Sequence, residues 1–469
     1  MTEIWQWSAL DTAARVAAGE VSAREVTDAH LTRLADVNPP LNAVTNEVGD
    51  EARAAAADLD DVYTKVGPIG PLHGVPVTIK ENIDVKGQVT PNGLPAFAEL
   101  VAPTDSPLVG HLRAAGAVIV GRTNTPEMSY RWHTTNPLRG TTTNPWSPAR
   151  TPGGSSGGAA ASLAAGIGAI AHGNDLGGSL RQPANCCGLT TIRPSLGRIP
   201  SHNATAAAER SMGLQLMAVQ GPIARTVADA RLGLEIMMQP DPRDPWHRPA
   251  PLAGPAARGP LRVAVTHGSP RVPTDADVVA AVDEAARLLD EAGYAVEAVD
   301  PPALDEILAG WRSILSTETT ATLGSTLAEI GSEEFLAVVG WMFEGSTLDL
   351  AGYVAALTRR NTHLRAWSEF LDRYPLVVAP VSQRVPFAPN ADAASREGLV
   401  DIMTGHTPLV AVNYLGLPAA AVPVTLTDDG PIGVQIIGQP FREDRCLDAA
   451  QAIEHRVGVM IEHLWARSA

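Results

Sequence analysis

Two glycine-rich segments of the chain each carry a serine that could act as a nucleophile. The first reads TPGGSSGG over residues 151–158 and contains Ser155, and the second reads DLGGSLRQPA over residues 175–184 and contains Ser179. Glycine adopts backbone conformations that other residues avoid, at a conformational cost, so such clusters mark places where the backbone approaches another group closely. A serine on a sharp turn, among free backbone N–H groups, can attack a carbonyl carbon and have the resulting oxyanion stabilised. The two segments therefore predict a serine nucleophile beside an oxyanion hole.

A lysine ends a segment that has the composition of a buried strand. Residues 75–79 are rich in β-branched side chains and predict a core strand, and Lys80 follows them directly. An unpaired ammonium in an apolar site is costly, so a buried lysine tends to lose its proton and become a base. The alternative is that Lys80 pairs with Glu81 or Asp84 at the surface. The residues alone leave both interpretations open.

These segments resemble the amidase signature family, whose core pattern is a GGSSGG cluster followed by a D-x-GGS-x-R-x-PA turn. The segment IKENIDV, residues 79–85, resembles the lysine motif of the same family. The residue before the second glycine pair is commonly Thr in that family, and here it is Leu176. Because this position is expected to contribute mainly a backbone N–H, the difference affects the match little. The resemblance covers most of the chain and weakens between about residues 200 and 370.

The resemblance implies a catalytic triad and gives each member a role. Ser179 attacks the substrate carbonyl, Ser155 follows a cis peptide bond and relays the proton, and neutral Lys80 is the final base. That role requires burial to lower the pKa of Lys80 towards the working pH. The oxyanion would be stabilised by backbone N–H groups of four consecutive residues, Leu176, Gly177, Gly178 and Ser179.

Two charged residues flank the predicted nucleophile. Asp175 precedes the glycine pair and Arg181 follows Ser179. Opposite charges beside a tight turn favour pairing, so we expect these two side chains to brace the turn rather than react.

The elements that hold the serines can be predicted from composition. Residues 156–165 are small and predict a helix, and residues 167–171 predict a short buried strand that leads into a sharp turn at residues 174–178. Earlier in the chain, residues 104–127 predict a helix followed by a strand over residues 117–120. This alternation indicates α/β layers.

The predicted fold class is therefore α/β. The resemblance implies the amidase-signature fold, with a central mixed, twisted β-sheet covered by helices on both faces. We expect residues 1–469 to form a single domain. Within it we expect an N-terminal helical entry over about residues 1–65, a catalytic core over about 66–200, and a variable region over about 300–372 that covers the substrate.

Large side chains near the serine segments are candidates for a substrate pocket. The run MSYRWH over residues 128–133 concentrates them in a chain with only 4% aromatic residues. Residues 304–372 predict helices that contain Trp311, Trp341, Met342 and Phe343, and such a region could select the acyl group. Ordinary packing explains both sets of side chains equally well. Five residues are the candidates for substrate contact: Met128, Tyr130, Trp132, His133 and Trp341.

Charge and cysteine content limit the partners and the compartment. The net charge of −16 argues against a nucleic-acid partner, because phosphate binding needs clustered Lys and Arg. Three cysteines, two of them adjacent, exclude a disulfide framework and favour a reducing compartment. The start MTEIWQWSAL has no signal-peptide pattern, and the longest small apolar run, residues 159–171, is too short to cross a bilayer. We therefore predict a cytoplasmic protein without a membrane partner.

The first serine segment also fits a different class of hydrolase. Gly153, Ser155 and Gly157 satisfy the G-x-S-x-G pattern of α/β-hydrolases, which use a histidine as the base. No HGGG-like oxyanion segment accompanies that pattern here. If this alternative were correct, replacing Lys80 by alanine would leave most of the activity.

A binding function is a further alternative. Gly166, Gly168 and Ala171 match G-x-G-x-x-A, but they follow a predicted helix rather than a strand, so a dinucleotide site is not expected. The sequence contains no P-loop, no H-E-x-x-H and no paired C-x-x-C motif. We therefore predict neither a metal nor a cofactor.

The resemblance implies a serine hydrolase that cleaves an amide-type carbon–nitrogen bond of a small molecule. It would form an acyl-enzyme on Ser179 and release a carboxylic acid and ammonia or an amine. Hydrazides and carbamoyl compounds are alternative substrates for the same fold. A tRNA amidotransferase component, which passes ammonia to charged tRNA, is less favoured, because residues 315–331 do not resemble its central region. Family habit also implies a homodimer.

Overall fold

The computed structural model describes residues 3–256 and 259–468. Within these residues the strands are β1 (Val44–Glu47), β2 (Pro76–Lys80), β3 (Val118–Thr123), β4 (Thr135–Asn136), β5 (Gly140–Thr141), β6 (Ile170–Asp175), β7 (Thr190–Arg193), β8 (Val219–Ala224), β9 (Arg262–Val265), β10 (Ala295–Ala298), β11 (Leu376–Pro380), β12 (Ala419–Thr427) and β13 (Gly430–Gly438). Eleven of these strands form one sheet in the order β1-β3-β2-β6-β8-β7-β12-β13-β11-β9-β10, and β4 pairs with β5 separately. The sheet is mixed, since β2 lies parallel to β3 and β6 whereas β8 lies antiparallel to β6.

The helices of the described residues are α1 (Ala9–Ala17), α2 (Ala23–Leu41), α3 (Gly49–Val66), α4 (Pro107–Ala114), α5 (Gly157–Ala164), α6 (Arg181–Cys187), α7 (Met212–Met217), α8 (Val227–Met237), α9 (Ala276–Glu291), α10 (Leu304–Thr322), α11 (Gly324–Ile330), α12 (Glu333–Phe343), α13 (Leu350–Arg373), α14 (Ala391–Ala394), α15 (Arg396–Gly405), α16 (Thr407–Leu415), α17 (Glu443–Val457) and α18 (Ile461–Ser468). Short 3-10 turns occupy Ile4–Gln6, Pro95–Phe97 and Glu127–Ser129. None of the described helices is long and apolar enough to cross a membrane.

Helices cover both faces of the sheet, as strand β11 shows. Successive side chains of a strand point to opposite faces. Leu376 and Val378 pack in a core cluster with side chains of α9 and α17, whereas Val377 and Ala379 pack in a second cluster with side chains of α10 and α16. A strand buried on both sides needs a layer of helices on each face. The predicted α/β fold, with a mixed sheet between two helical layers, is confirmed.

The register of two parallel strands brings the lysine and the second serine segment together. Thr78 of β2 lies opposite Ala171 of β6, so the carboxyl ends of both strands meet at one edge of the sheet. Lys80 is the last residue of β2, and Asp175 is the last residue of β6. Crevices outside the carboxyl ends of parallel strands are the usual place for ligands in open α/β sheets.

The elements predicted near the site are present, with shifted boundaries. The small-residue helix is α5, and the strand before the lysine is β2, which includes Lys80 itself. The strand predicted over residues 167–171 instead begins at Ile170 and continues to Asp175, because each of its residues pairs with one of β8. Gly168 precedes it with a positive φ of 76°. The sharp turn therefore starts after Asp175.

Candidate active site

Lys80 is completely buried and has three polar neighbours. Its Nζ lies 2.7 Å from Ser155 Oγ, 2.7 Å from Asn174 Oδ1 and 3.2 Å from Ser156 Oγ. Burial lowers the pKa of Lys80 well below its usual value, and the nearby carboxylates of Asp175 and Glu81 only partly oppose that effect. A neutral amine has two N–H donors and one lone pair. Those donors fit Asn174 and Ser156, which leaves the lone pair for the Ser155 hydroxyl proton.

Lys80 does not form the alternative surface ion pair. Glu81 is itself buried, and its carboxylate accepts a hydrogen bond from Thr45 and lies 3.5 Å from Arg139 Nε. Asp84 is also buried and accepts hydrogen bonds from Thr90 and Thr205. The lysine is therefore held by uncharged groups.

Ser155 follows two positions, 153 and 154, at which the loop has room only for glycine. The peptide bond between Gly154 and Ser155 is cis. A Cβ atom at Gly154 would lie 2.5 Å from the Arg131 carbonyl oxygen, and one at Gly153 would lie 2.5 Å from Gln182 Oε1. The N–H of Gly154 donates to the same Gln182 oxygen at 2.8 Å. Close contact with α6, which contains Gln182, thus fixes the first serine segment beside the second.

The turn that carries Ser179 is built around the carboxylate of Asp175. This carboxylate accepts hydrogen bonds from the backbone N–H of Gly178 at 2.7 Å and of Leu180 at 3.2 Å. Arg181 donates to it through Nε and Nη2, both at 3.1 Å, and both side chains are fully buried. The structure therefore brings Asp175 and Arg181 together across the turn.

The charge of Asp175 is maintained despite its burial. Burial alone would raise the pKa of Asp175, but the guanidinium groups of Arg181 and Arg193 and a hydrogen bond from Asn413 outweigh it. Together they hold the pKa of this carboxyl well below its usual range. The ionised form of the carboxylate is thus favoured, and its oxygens are occupied by contacts within the turn and with neighbouring side chains.

The predicted oxyanion donors are not equivalent. The N–H of Gly178 is already donated to Asp175. Within the described part of the chain, the N–H groups of Leu176, Gly177 and Ser179 have no acceptor. Three of the four predicted donors are therefore available to a developing negative charge beside Ser179.

Two cavities meet at Ser179. The first, here called the apolar pocket, encloses about 370 Å³ of empty space including its mouth. Its lining residues are Ser129, Tyr130, Arg131, Trp132, Leu176, Gly177, Ser179, Trp311, Leu315, Met342 and Phe343. A lining made mainly of aromatic and apolar side chains with a few polar groups is typical of a small-molecule site.

The second cavity, here called the vestibule, is wider and more polar. It encloses about 2220 Å³ including open solvent. Ser155, Asn174 and Ser179 line it, together with residues 201–204 and 206–210. Both predicted catalytic serines therefore face the same space.

The pocket candidates from the sequence divide into two groups. Tyr130 and Trp132 line the apolar pocket, and Met128 and Tyr130 line the vestibule. His133 lines neither cavity: it is buried behind the Ser155 loop, its Nδ1 lies 2.9 Å from Thr151 Oγ1, and burial lowers its pKa to about 4. Trp341 also lines neither cavity.

Four other side chains of the predicted covering region line the apolar pocket, where Trp341 was expected. Trp311 and Leu315 line the apolar pocket from α10, and Met342 and Phe343 line it from α12. Neighbouring helix residues point about 100° apart, so a one-residue difference in helix phase turns a side chain away from a cavity. A weak sequence pattern cannot give that phase, although the helical prediction for residues 304–372 is confirmed.

No cluster of three or more His, Cys, Asp or Glu that could hold a metal occurs in residues 3–256 and 259–468. The cysteines Cys186, Cys187 and Cys446 are buried and free.

The chain matches a family model and several known proteins over most of its length. A family model described as "Amidase" matches residues 25–447. The indoleacetamide hydrolase of Bradyrhizobium diazoefficiens is 48% identical over 464 residues, which cover 98% of this chain and 88% of the relative. A glutamyl-tRNA(Gln) amidotransferase component of Synechococcus sp. (strain CC9311) is 32% identical, and the match covers 94% of this chain and 95% of the relative.

A solved structure gives the same picture at the level of the fold. The crystal structure of a bacterial aryl acylamidase of the amidase signature family superposes with a TM-score of 0.85 at 27% identity, covering 99% of this chain and 98% of the other. The chain therefore belongs to the amidase signature family and is a hydrolase that acts on amide carbon–nitrogen bonds.

Proposed function

We propose that the protein hydrolyses the primary amide of an arylacetamide, of the indoleacetamide type, to the arylacetate and ammonia. The observation that carries the proposal is the apolar pocket, which Ser179 lines together with the rings of Trp132, Trp311 and Phe343. Aromatic walls match a flat aromatic acyl group. The 48% identical relative named as an indoleacetamide hydrolase supports the same substrate class.

The proposed reaction begins with a proton relay. Ser179 gives its hydroxyl proton to Ser155 as it attacks the amide carbon, and Ser155 passes its own proton to the neutral amine of Lys80. The contact of 2.7 Å between Lys80 Nζ and Ser155 Oγ supports the second transfer. Asn174 and Ser156 accept hydrogen bonds from the lysine and keep its lone pair directed at Ser155.

The tetrahedral intermediate would place its oxyanion near the free N–H groups of the Ser179 turn. Each such donor typically contributes roughly 3 kcal/mol to transition-state stabilisation. Lys80, now protonated, returns the proton through Ser155 to the leaving nitrogen, so ammonia departs rather than an unstable amide anion. Water then attacks the acyl group on Ser179 by the same relay and releases the carboxylic acid.

Hydrazides and carbamoyl compounds remain the alternative substrates, because the same relay would protonate their leaving nitrogen. Steady-state turnover of indoleacetamide, phenylacetamide, acetamide, phenylacetic hydrazide and phenylurea separates these classes. We expect the two arylacetamides to have the highest kcat/KM. A preference for acetamide over both arylacetamides would contradict the assignment of the apolar pocket to the acyl group.

Three variants test the proposed roles in this reaction. We expect each of the variants Lys80→Ala, Ser155→Ala and Ser179→Ala to lower kcat by about 10³-fold or more. The three residues are proposed to act as one catalytic unit, so loss of any one of them removes the contribution of all three. Lys86→Ala, at an exposed lysine, and Ser162→Ala, at a buried serine of α5 that donates to Ala159, are matched controls that should keep the wild-type rate. Full activity of Lys80→Ala would instead favour a histidine base.

The organisation of the chain adds three further proposals. We propose one domain over residues 1–469, with its helical entry, catalytic core and covering region as predicted, and a single cooperative unfolding transition would support it.

We also propose a homodimer in the cytoplasm. Light scattering coupled to size-exclusion chromatography tests the dimer, and fractionation of cells that express the protein tests the location.

A further inference from the structure

Two tryptophans hold consecutive carbonyl groups of the turn that precedes the nucleophile. Trp311 Nε1 donates to the carbonyl oxygen of Leu176 at 3.1 Å. Trp132 Nε1 donates to the carbonyl oxygen of Gly177 at 2.9 Å. The two indoles come from α10 and from the loop before the first serine segment, so distant parts of the chain converge on one stretch of backbone.

The planar peptide bond converts each of these contacts into an orientation of the next N–H. In a trans peptide the carbonyl of one residue and the N–H of the next point in opposite directions. The contact from Trp311 to Leu176 therefore fixes the direction of the Gly177 N–H, which has no acceptor among the described residues. This N–H is one of the three donors left for the oxyanion.

The next peptide group, between Gly177 and Gly178, has hydrogen bonds at both its carbonyl and its N–H. Its carbonyl, from Gly177, accepts from Trp132, and its N–H, from Gly178, donates to Asp175 Oδ1 at 2.7 Å. It is thus fixed at both ends, whereas the peptide group between Leu176 and Gly177 is fixed by Trp311 alone. Loss of the Trp311 contact should therefore affect the turn more than loss of the Trp132 contact.

Both indoles are themselves immobilised by packing. Trp132 and Trp311 are 4% and 3% exposed, and the ring of Trp132 lies 4.9 Å from that of His406. Gly177 lies between them: a Cβ added there would be 3.1 Å from Trp311 and 3.9 Å from Trp132. Rigid neighbours of this kind keep a donor in the preorganised position that transition-state stabilisation requires.

We infer that Trp311 is a positioning residue that aims the Gly177 N–H at the oxyanion, and that Trp132 contributes less, by holding the adjacent peptide group between Gly177 and Gly178. The inference rests on the proposed role of Ser179 as nucleophile. Both rings also line the apolar pocket. An aryl group bound there packs against the same side chains that orient the donor, so a matching acyl group should raise kcat and not only lower KM.

The test replaces each indole by a ring that lacks the N–H. In Trp311→Phe we expect kcat for the best amide to fall by about tenfold to a hundredfold, below the roughly 10²–10³ that loss of an oxyanion donor costs, while KM changes less than about threefold. An aryl acetaldehyde, which forms a tetrahedral adduct with a serine, should bind more weakly by about the same factor as kcat. The product arylacetate should bind as it does to the wild type. Trp132→Phe should show the same pattern with a smaller factor.

A matched control separates this role from ordinary packing. Trp367 is also buried, and its Nε1 donates to the Pro302 carbonyl at 2.9 Å outside both cavities. Trp367→Phe loses the same kind of hydrogen bond, so it should lower the melting temperature and leave kcat and aldehyde affinity unchanged. If Trp311→Phe behaves like Trp367→Phe, or weakens aldehyde and arylacetate equally, the inference is wrong.

The proposed function and this inference can fail separately. The comparison uses whichever amide of the substrate panel the wild type hydrolyses best, and the aldehyde and carboxylic acid are those of the same acyl group, so rejection of arylacetamides does not affect it. An acyl adduct on Ser179 in wild type and in Trp311→Phe shows that the nucleophile is unchanged in the variant. An adduct elsewhere in the wild type would overturn both.

Discussion

The amine of Lys80 lies 2.7 Å from the hydroxyl of Ser155, and the two residues are 75 positions apart in the sequence. The parallel register of β2 and β6 places the lysine at the sheet edge, and the glycine loop before α5 brings the serine to it. Because Lys80 is fully buried, its neutral form is favoured and can accept a proton. The fold thus buries an amine beside a serine hydroxyl, and the proposed role of Lys80 as a base depends on the exclusion of water from it.

Burial of Lys80 should be visible in the pH dependence of stability. Burial lowers its pKa well below the usual 10.5, so between the two values the unfolded chain binds a proton that the folded chain does not. Stability of the wild type should therefore rise with pH across this range, by up to about 1.4 kcal/mol per pH unit. The free energy of unfolding is therefore highest above pH 10.5, where Lys80 is neutral in both states. It falls as the pH decreases and levels off at the lowered pKa, below which Lys80 is protonated in both states.

Lys80→Met should remove that rise. The measurement is urea unfolding of both proteins at several values from about pH 6 to about pH 10, taking the difference between their slopes against pH. Parallel slopes over the whole range would mean that Lys80 is protonated in the folded protein. In the wild type, kcat should rise with pH through the lowered pKa and then level off.

Asp175→Asn should destabilise the Ser179 turn by about 3–5 kcal/mol at neutral pH, because it leaves the buried Arg181 without its counter-charge. The Asp175 pKa lies below the usual 3.8, so its contribution is present above that pH and disappears as the pH falls towards the lowered value. The difference in unfolding free energy between wild type and variant should accordingly shrink below about pH 4. A difference that stays constant down to acid unfolding would contradict this account of the turn.

Gly178→Ala should abolish activity and destabilise the protein more than a positive φ alone explains. Gly178 has φ of 103°, and an added Cβ would lie 2.1 Å from Leu409 Cδ2. The control is Gly293→Ala, at a glycine with φ of 92° and no atom within 4 Å of the added Cβ. The control should cost about 1–2 kcal/mol and keep full activity. If thermal unfolding shows the same loss of unfolding free energy in both variants, the turn shifts to accommodate the methyl group and this account of it is wrong.

Phe343→Leu should reduce kcat/KM for arylacetamides about tenfold and leave acetamide nearly unaffected, because it removes part of the aromatic wall of the apolar pocket. Trp341→Leu, two positions earlier on the same helix, is the control, since Trp341 lines neither cavity. Activity ratios between the two substrates cancel any general loss of folded enzyme. If the Trp341 variant changes the ratio as much as the Phe343 variant, the acyl group binds elsewhere.

Local composition is sufficient to predict the elements around the chemistry. The β-branched run before Lys80 predicts β2, and the small residues after Ser156 predict α5, because each pattern is decided within the segment itself. The serine and lysine motifs carry a resemblance strong enough to give the family, and the family match and the fold confirm it. Their catalytic roles stay a prediction for the variants above.

The walls of the site depend on relations that no single segment contains. Trp311 contacts Leu176, 135 residues away in the sequence, only because α10 packs against α16 in the core cluster on one face of the sheet. The choice between Trp341 and Phe343 depends on helix phase, which is set by packing against neighbouring helices. In the same way, the Gly178 N–H is not available as an oxyanion donor because it donates to Asp175, and only the folded turn shows that contact.

The central claim is that Ser179 becomes acylated with Ser155 and Lys80 as its proton relay. The most direct measurement is intact-mass and peptide mapping after rapid acid quench of the enzyme with indoleacetamide, in the wild type and in the Lys80→Ala, Ser155→Ala and Ser179→Ala variants. We predict one indoleacetyl group on the peptide that contains Ser179 in the wild type, and no adduct on the time scale of wild-type turnover in any variant. An adduct on Ser155, or undiminished acylation in Lys80→Ala, would contradict the mechanism.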